Sequence, residues 1–119
     1  MGKQPKLCIA HIAMNTAGEA EARDITQLMQ TAFGISSQEG AKSYITGNVI
    51  EVIKGGYLGT NGHIAIGTPD IDAAVAYLEE KGLRFDPATT EWDENGKKIV
   101  YLDHELAGFA LHLVRKELK

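Results

Sequence analysis

The chain has 119 residues, 44% hydrophobic and 24% charged, an ordinary balance for one globular domain or two small modules sharing a core. Its net charge of −4 comes from scattered residues, 12 Lys and Arg against 16 Asp and Glu, which argues against non-specific nucleic-acid binding, where affinity comes from neutralising phosphates. No apolar run approaches the ~20 residues of a membrane helix, the basic start Met1–Lys6 leads into no signal-peptide core, and the single cysteine excludes an internal disulfide, so a cytoplasmic protein without membrane or nucleic-acid partners is expected.

Leu7 to Met14 is nearly all apolar and reads as a buried strand, with Cys8 in it a buried, inert thiol. Thr16 and Glu19 have capping-box spacing and predict a helix starting near Thr16. Ile25, Leu28, Met29, Ala32 and Phe33 recur at helical spacing as its apolar face, and Gly34 suits the left-handed position that closes it. Ile35–Glu39, Lys42–Thr46 and Asn48–Lys54 read as short strands punctuated by Gly40 and Gly47. The glycine-rich stretch Lys54–Gly62 is a turn-like joint whose spacing fits neither a P-loop nor a dinucleotide fingerprint.

The order then repeats. His63–Thr68 is a strand, Pro69 and Asp70 open a helix, and Ile71, Ala74, Val75 and Leu78 form its apolar face before Gly82 ends it. Leu83–Phe85 reads as a strand, Asn95-Gly96 as a hairpin signal, and Lys98–Leu102 and Phe109–Arg115 as the last two strands.

The repetition extends to wording: His11-Ile12-Ala13-Met14 returns as His63-Ile64-Ala65-Ile66. We read a single domain over 1–119 made of two β-α-β-β-β modules, 7–54 and 63–115, linked by a joint at 55–62. The fold class is α+β, a curved, mostly antiparallel eight-stranded sheet around a cavity. Each module carries a polar residue inside an apolar strand: Glu51 in Val49–Ile53 and His112 in Ala110–Val114. Strand alternation groups Ile9 with His11 and Ala13, and places Glu51, His63 and His112 on equivalent faces. A carboxylate between apolar neighbours is costly to bury unless paired or bound to metal. An edge strand with Glu51 in water, and satisfied core histidines, are the plain alternatives. The matching places in two repeats favour a shared metal site of His11, Glu51, His63 and His112. His104, in a charged loop, reads as solvated.

These residues carry a resemblance. Over residues 7–115 the chain resembles the vicinal oxygen chelate superfamily, the group of glyoxalases, bleomycin-resistance proteins and extradiol dioxygenases. The clearest stretch is GTNGHIAIGTPDIDAAVAYLEEKGLRF. The resemblance implies paired modules around a divalent metal, with ligands from the first and last strand of each. Those positions are His11 in CIAHIAM, Glu51 in NVIEVIK, His63 in NGHIAIG and His112 in GFALHLV. The last departs from the glyoxalase I pattern, which has Glu there, and so argues against glyoxalase I activity itself. Three His and one Glu suit Zn, Fe, Ni, Co or Mn better than Mg or Ca. The chain is also similar to the C-terminal extension of some 2-keto-3-deoxy-phosphogluconate aldolases, which implies a sugar-acid context.

The expected function is a metal-dependent lyase or isomerase acting on a small oxygen-rich keto, hydroxy or sugar acid through a metal-stabilised enediolate. Glu51 is its candidate catalytic residue, as ligand or base. Tyr44, Lys54, Tyr101 and Arg115 are candidate substrate anchors from strand position. The alternatives are a non-catalytic binding or resistance-type module and, third, an Fe(II) extradiol dioxygenase. A homodimer is expected, with modules pairing within one chain or swapped, so that His11 and Glu51 of one copy meet His63 and His112 of the other.

Overall fold

Two apolar strands that carry the same His-Ile-Ala pattern lie side by side and organise the molecule. In the computed structural model, which describes residues 4–118, β1 (Cys8–Met14) pairs antiparallel with β5 (Gly62–Thr68) at the centre of one sheet. The remaining elements are α1 (Glu19–Phe33), β2 (Ser37–Glu39), β3 (Ser43–Thr46), β4 (Ile50–Ile53), α2 (Ile71–Glu80), β6 (Phe85–Asp93), β7 (Gly96–Leu102) and β8 (Phe109–Arg115). The first residues of the basic start, Met1–Lys3, lie outside the described part.

The eight strands run in the order β2-β3-β4-β1-β5-β8-β7-β6. β1 pairs parallel with β4 and β5 parallel with β8, while the other neighbours are antiparallel. Each half therefore has the same internal order, and the β1–β5 seam relates one to the other. The chain adopts the expected α+β fold of two tandem β-α-β-β-β units, its mostly antiparallel sheet made mixed by the β1–β4 and β5–β8 parallel pairs.

Each helix covers one half of the same sheet face. Ala22 and Ile25 of α1 pack with Tyr44, Val52, Met14 and Ile50, and Ile71, Ala74, Val75 and Leu78 of α2 pack with Val100, Leu113, Ile66 and Phe85. Val52 and Leu113 are fully buried, and burial of this kind contributes about 1.5–3 kcal/mol per aliphatic side chain. With one face under the helices, the other is free to line a cavity.

The α1 expectations need correction. The helix begins at Glu19 with Gly18 as cap, and no side-chain capping bond forms. Thr16 instead ties the approach to the sheet, its hydroxyl donating to the Ile53 carbonyl at 2.6 Å, while Glu21 accepts from the Ala17 N–H. Its buried residues are Ala22 and Thr26, whereas Leu28 and Phe33 are exposed. Small Ala22 lets the helix approach the sheet, and the contact stripe runs through it rather than through the larger side chains. Gly34 closes the helix at φ 69°, as expected. In α2, Asp70 caps by accepting from the Ala73 N–H.

β6 is longer than the predicted Leu83–Phe85. Its polar, proline-containing sequence hides a strand because it forms the sheet edge, where a missing N–H costs little. The β6–β7 hairpin forms at the expected place, but Gly96 alone takes a positive φ and Asn95 does not. Cys8 is half-buried rather than buried. Among the described residues, no helix is long and apolar enough to cross a membrane.

Candidate metal centre

Register brings the polar strand residues together. Ala13 of β1 pairs with Glu51 on one side and His63 on the other. One pleat along, Ala65 of β5 pairs with His11 on one side and His112 on the other, and His112 with Tyr101. Cross-strand partners share a sheet face, so His11, Glu51, His63 and His112 all point into the cavity. Ala13 and Ala65 are fully buried between them. A methyl at each of these two positions leaves room for the flanking imidazoles and carboxylate to lean together.

The expected alternation fails at one point. The β1–β5 register shifts between Ile9 and His11: Ile9 pairs with Ile66, whereas His11 pairs with Ala65. Since Ile66 and Ala65 face opposite ways, Ile9 is not on the face of His11 and Ala13. A bulge beside the first histidine sets its aim.

The donor atoms form a tight triangle. His11 Nε2 lies 3.3 Å from His63 Nε2, and Glu51 Oε1 lies 3.4 Å from each. Ligand atoms held about 2.1 Å from a tetrahedral ion stand about 3.4 Å apart, so the triangle has the size of one face of such a shell. His112 completes a cluster in which the three histidine ligand atoms lie within 4.8 Å of one another. His112 Nδ1 donates to the Leu113 carbonyl at 3.1 Å, which leaves its Nε2 with the lone pair a metal needs. His63 Nδ1 is buried without a protein partner, so in the metal-free protein its proton belongs on Nε2, facing Glu51. The residues fit a divalent transition metal.

Electrostatics agree with that fit. Burial lowers the His112 pKa to about 4 and also lowers that of His11, against the opposing pull of Glu51. Both are neutral at pH 7, the ligand form. The hydrogen bond from His63 outweighs burial and brings Glu51 down to about 2, helped by the Ser43 hydroxyl, which donates to Oε2 at 2.8 Å. Glu51 is thus held as a carboxylate.

The cavity has a volume of about 660 Å³. Of the expected anchors, Tyr101 and Lys54 line it. Tyr101 lies 4.7 Å ring to ring from His112, and burial raises its phenol pKa, so it stays a proton donor. Lys54 is engaged with Glu39 at 2.6 Å and sits over the Tyr44 ring. The structure puts the other two elsewhere: Tyr44 packs against Ala22 and Val52, and Arg115 bonds the Lys97 carbonyl and Asp93. Arg115, three residues from His112 in an unbroken strand, faces the other way, and Tyr44 pairs with Val52 on the face opposite Glu51. His104 is exposed and bonded to Asp103.

Sequence reading passed over Ser43, Tyr57, Glu91 and Lys98, which also line the cavity. Tyr57 meets His63 edge-on at 6.0 Å from within the glycine-rich joint. That joint is clasped, since Asn15 donates to the Gly59 carbonyl and accepts from the Tyr57 N–H.

No family model matches the chain, and a search of curated proteins finds no match. Solved structures do match. A selenomethionine methylmalonyl-CoA epimerase superposes with a TM-score of 0.69 at 17% identity, covering 98% of this chain and 100% of that one. A methylmalonyl-CoA epimerase in complex with methylmalonyl-CoA and NH4+ gives 0.59 at 17%, covering 96% of each chain. The Mycobacterium tuberculosis methylmalonyl-CoA epimerase gives 0.60 at 13%, covering 92% of this chain and 88% of that one. Two helices on an eight-stranded sheet, halved by the β1–β5 seam, thus give this chain the fold of the vicinal oxygen chelate superfamily.

Proposed function

We propose that the protein is a metal-dependent enzyme of the isomerase or lyase type that moves a proton at a carbon next to a carbonyl in a small keto or hydroxy acid, sugar acids included. The observation that carries it is the triangle of His11, His63 and Glu51 donor atoms, with His112 beside it, drawn from both halves of the chain onto one cavity wall. The likeness to methylmalonyl-CoA epimerases supports the same class of proton transfer. His11, His63, His112 and Glu51 would hold a divalent Zn, Fe, Ni, Co or Mn ion. When bound, the metal supplies a Lewis acid for two neighbouring substrate oxygens.

The chain's own residues divide the remaining work. Glu51, ionised down to about pH 2, is a poor base and serves as ligand and countercharge. In this reading the base is one of the other carboxylates that line the cavity, Glu19 or Glu91. The Tyr101 phenol, kept protonated by burial, donates to a substrate oxygen beside His112. A binding module that holds a chelating acid without turning it over is the second reading, favoured by His112 standing where glyoxalase I-like proteins carry a carboxylate.

Elemental analysis of wild type and His63→Ala, followed by proton NMR of keto acids in deuterium oxide, tests both. About one equivalent of metal, lost in the variant, with metal-dependent exchange of the α-proton, is the expected result. Metal without exchange would favour the binding module. No metal after reloading would remove the metalloenzyme reading.

A further inference from the structure

We propose that Lys98 anchors a second, distal anionic group of the substrate, so that the cavity takes acids carrying a carboxylate or phosphate beyond the oxygens that meet the metal. The inference rests on the proposed reading of the site as a chelating centre.

Its basis is a β-bulge in β7. Glu91 of β6 pairs with Ile99 and the next residue, Trp92, pairs with Lys97, leaving Lys98 with no partner on β6. In an unbroken strand Lys97 would share the face of Ile99 and Tyr101. Instead Lys97 turns to the helix side, where its ammonium meets Asp72 of α2 at 2.7 Å. Lys98, Ile99 and Tyr101 line the metal cavity, while Lys97 and Val100 line a groove beside α2. Bulges next to active sites re-aim side chains, and this one delivers an ammonium.

That ammonium is available. Among the described residues, Lys98 forms no ion pair. Asp93 is engaged by Arg115 and by the Asn95 N–H. The cavity lining holds Lys42, Lys54 and Lys98 against Glu19, Glu51 and Glu91, so its charges cancel and a bound divalent ion leaves it positive. Tyr101, directly opposite His112, lies three residues from Lys98, about 10 Å along the strand. Lys98 therefore meets the far end of a substrate whose near end is at the histidines.

Cobalt-loaded protein, titrated with two pairs of acids and read by its visible spectrum and by calorimetry, tests this. One pair is 2-oxobutyrate and 2-oxoglutarate, which differ by a distal carboxylate; the other is glycerate and 3-phosphoglycerate, which differ by a distal phosphate. In wild type the longer acid of at least one pair is expected to bind about tenfold tighter. The pair with the larger ratio identifies the anion. Lys98→Gln should abolish the ratio and leave the shorter acid's Kd unchanged, Lys98→Arg should keep the ratio, and Lys97→Gln should not alter it. A ratio that survives in Lys98→Gln, or equal affinities within both pairs in wild type, would overturn the assignment of Lys98 while the chelating site stands. If none of the four acids perturbs the cobalt spectrum, the reading of the site falls, and the proposal with it.

Discussion

Glu51 shows how one side chain links fold and chemistry. A carboxylate between Ile50 and Val52 is tolerable because Ser43 holds one oxygen and two imidazoles face the other. With Glu51 as a ligand of the proposed metal, the Ser43 bond would orient that ligand without contacting the ion itself. Removing such a partner costs about 10–100-fold in metal affinity. Ser43→Ala is expected to weaken cobalt binding by that factor in a chelator competition, with folding intact. His112 carries the pH consequence. Its imidazole takes a proton near 6.5 in the unfolded chain but only near 4 in the fold, because burial disfavours the charged form. Between those values the unfolded chain binds more protons, so the metal-free protein loses stability as pH falls through that window. The loss is roughly 3 kcal/mol at about 1.4 kcal/mol per pH unit. Glu51 adds a further loss below 4.5, since its folded value is about 2. Urea midpoints of metal-free protein at several pH values between 7 and 4 should fall with pH, and His112→Gln should make the trend above pH 4.5 shallower, with His11, also lowered by burial, keeping part of the slope. A flat wild-type profile would contradict the burial argument.

Strands do more here than carry residues. Two bulges, one before His11 and one at Lys98, break the alternation and set which side chains enter the cavity. Ala13 and Ala65 keep the rows between the ligands thin. Ala65→Val adds two methyls where His11 and His112 flank the position. Overpacking of this kind costs about 1–3 kcal/mol. The variant should retain a cooperative unfolding transition at a lower midpoint, and it should bind cobalt more weakly because the imidazoles are pushed apart. Unchanged metal affinity would show that Ala65 is not a spacer. The first of these devices was invisible to a period-of-two reading, which put Ile9 beside His11.

The two halves meet along β1 and β5, and the approach depends on Gly62. A Cβ there would stand 2.0 Å from the Ala13 carbonyl oxygen, at φ 156°. Gly62→Ala is expected to destabilise the protein by about 3 kcal/mol, measured by urea unfolding, and to separate His63 from Glu51 across the seam. Cutting the chain in the joint tests how far each half depends on the other. Residues 1–58 alone leave β1 as an open edge and hold His11 and Glu51 without His63. That fragment should show no cooperative unfolding and no retained cobalt, since β1 and β5 complete each other's pairing.

The sequence by itself carried the duplicated β-α-β-β-β order, the places of the helices and most strands, and the four polar positions His11, Glu51, His63 and His112. Those features are local or repeated: a period of 3.6 or 2, a capping Asp or closing Gly, and two copies of one phrase. Long β6 escaped because an edge strand tolerates the residues that usually deny one. Only the tertiary structure decided that Ser43 braces Glu51, that Lys98 rather than Lys97 faces the cavity, and that His11, His63 and Glu51 of one chain meet at 3.3–3.4 Å with the ligand atom of His112 within 4.8 Å of those of the other two histidines. These outcomes follow from strand register and from bulges, which are set by pairing between segments distant in sequence and leave no trace in the local pattern of either partner.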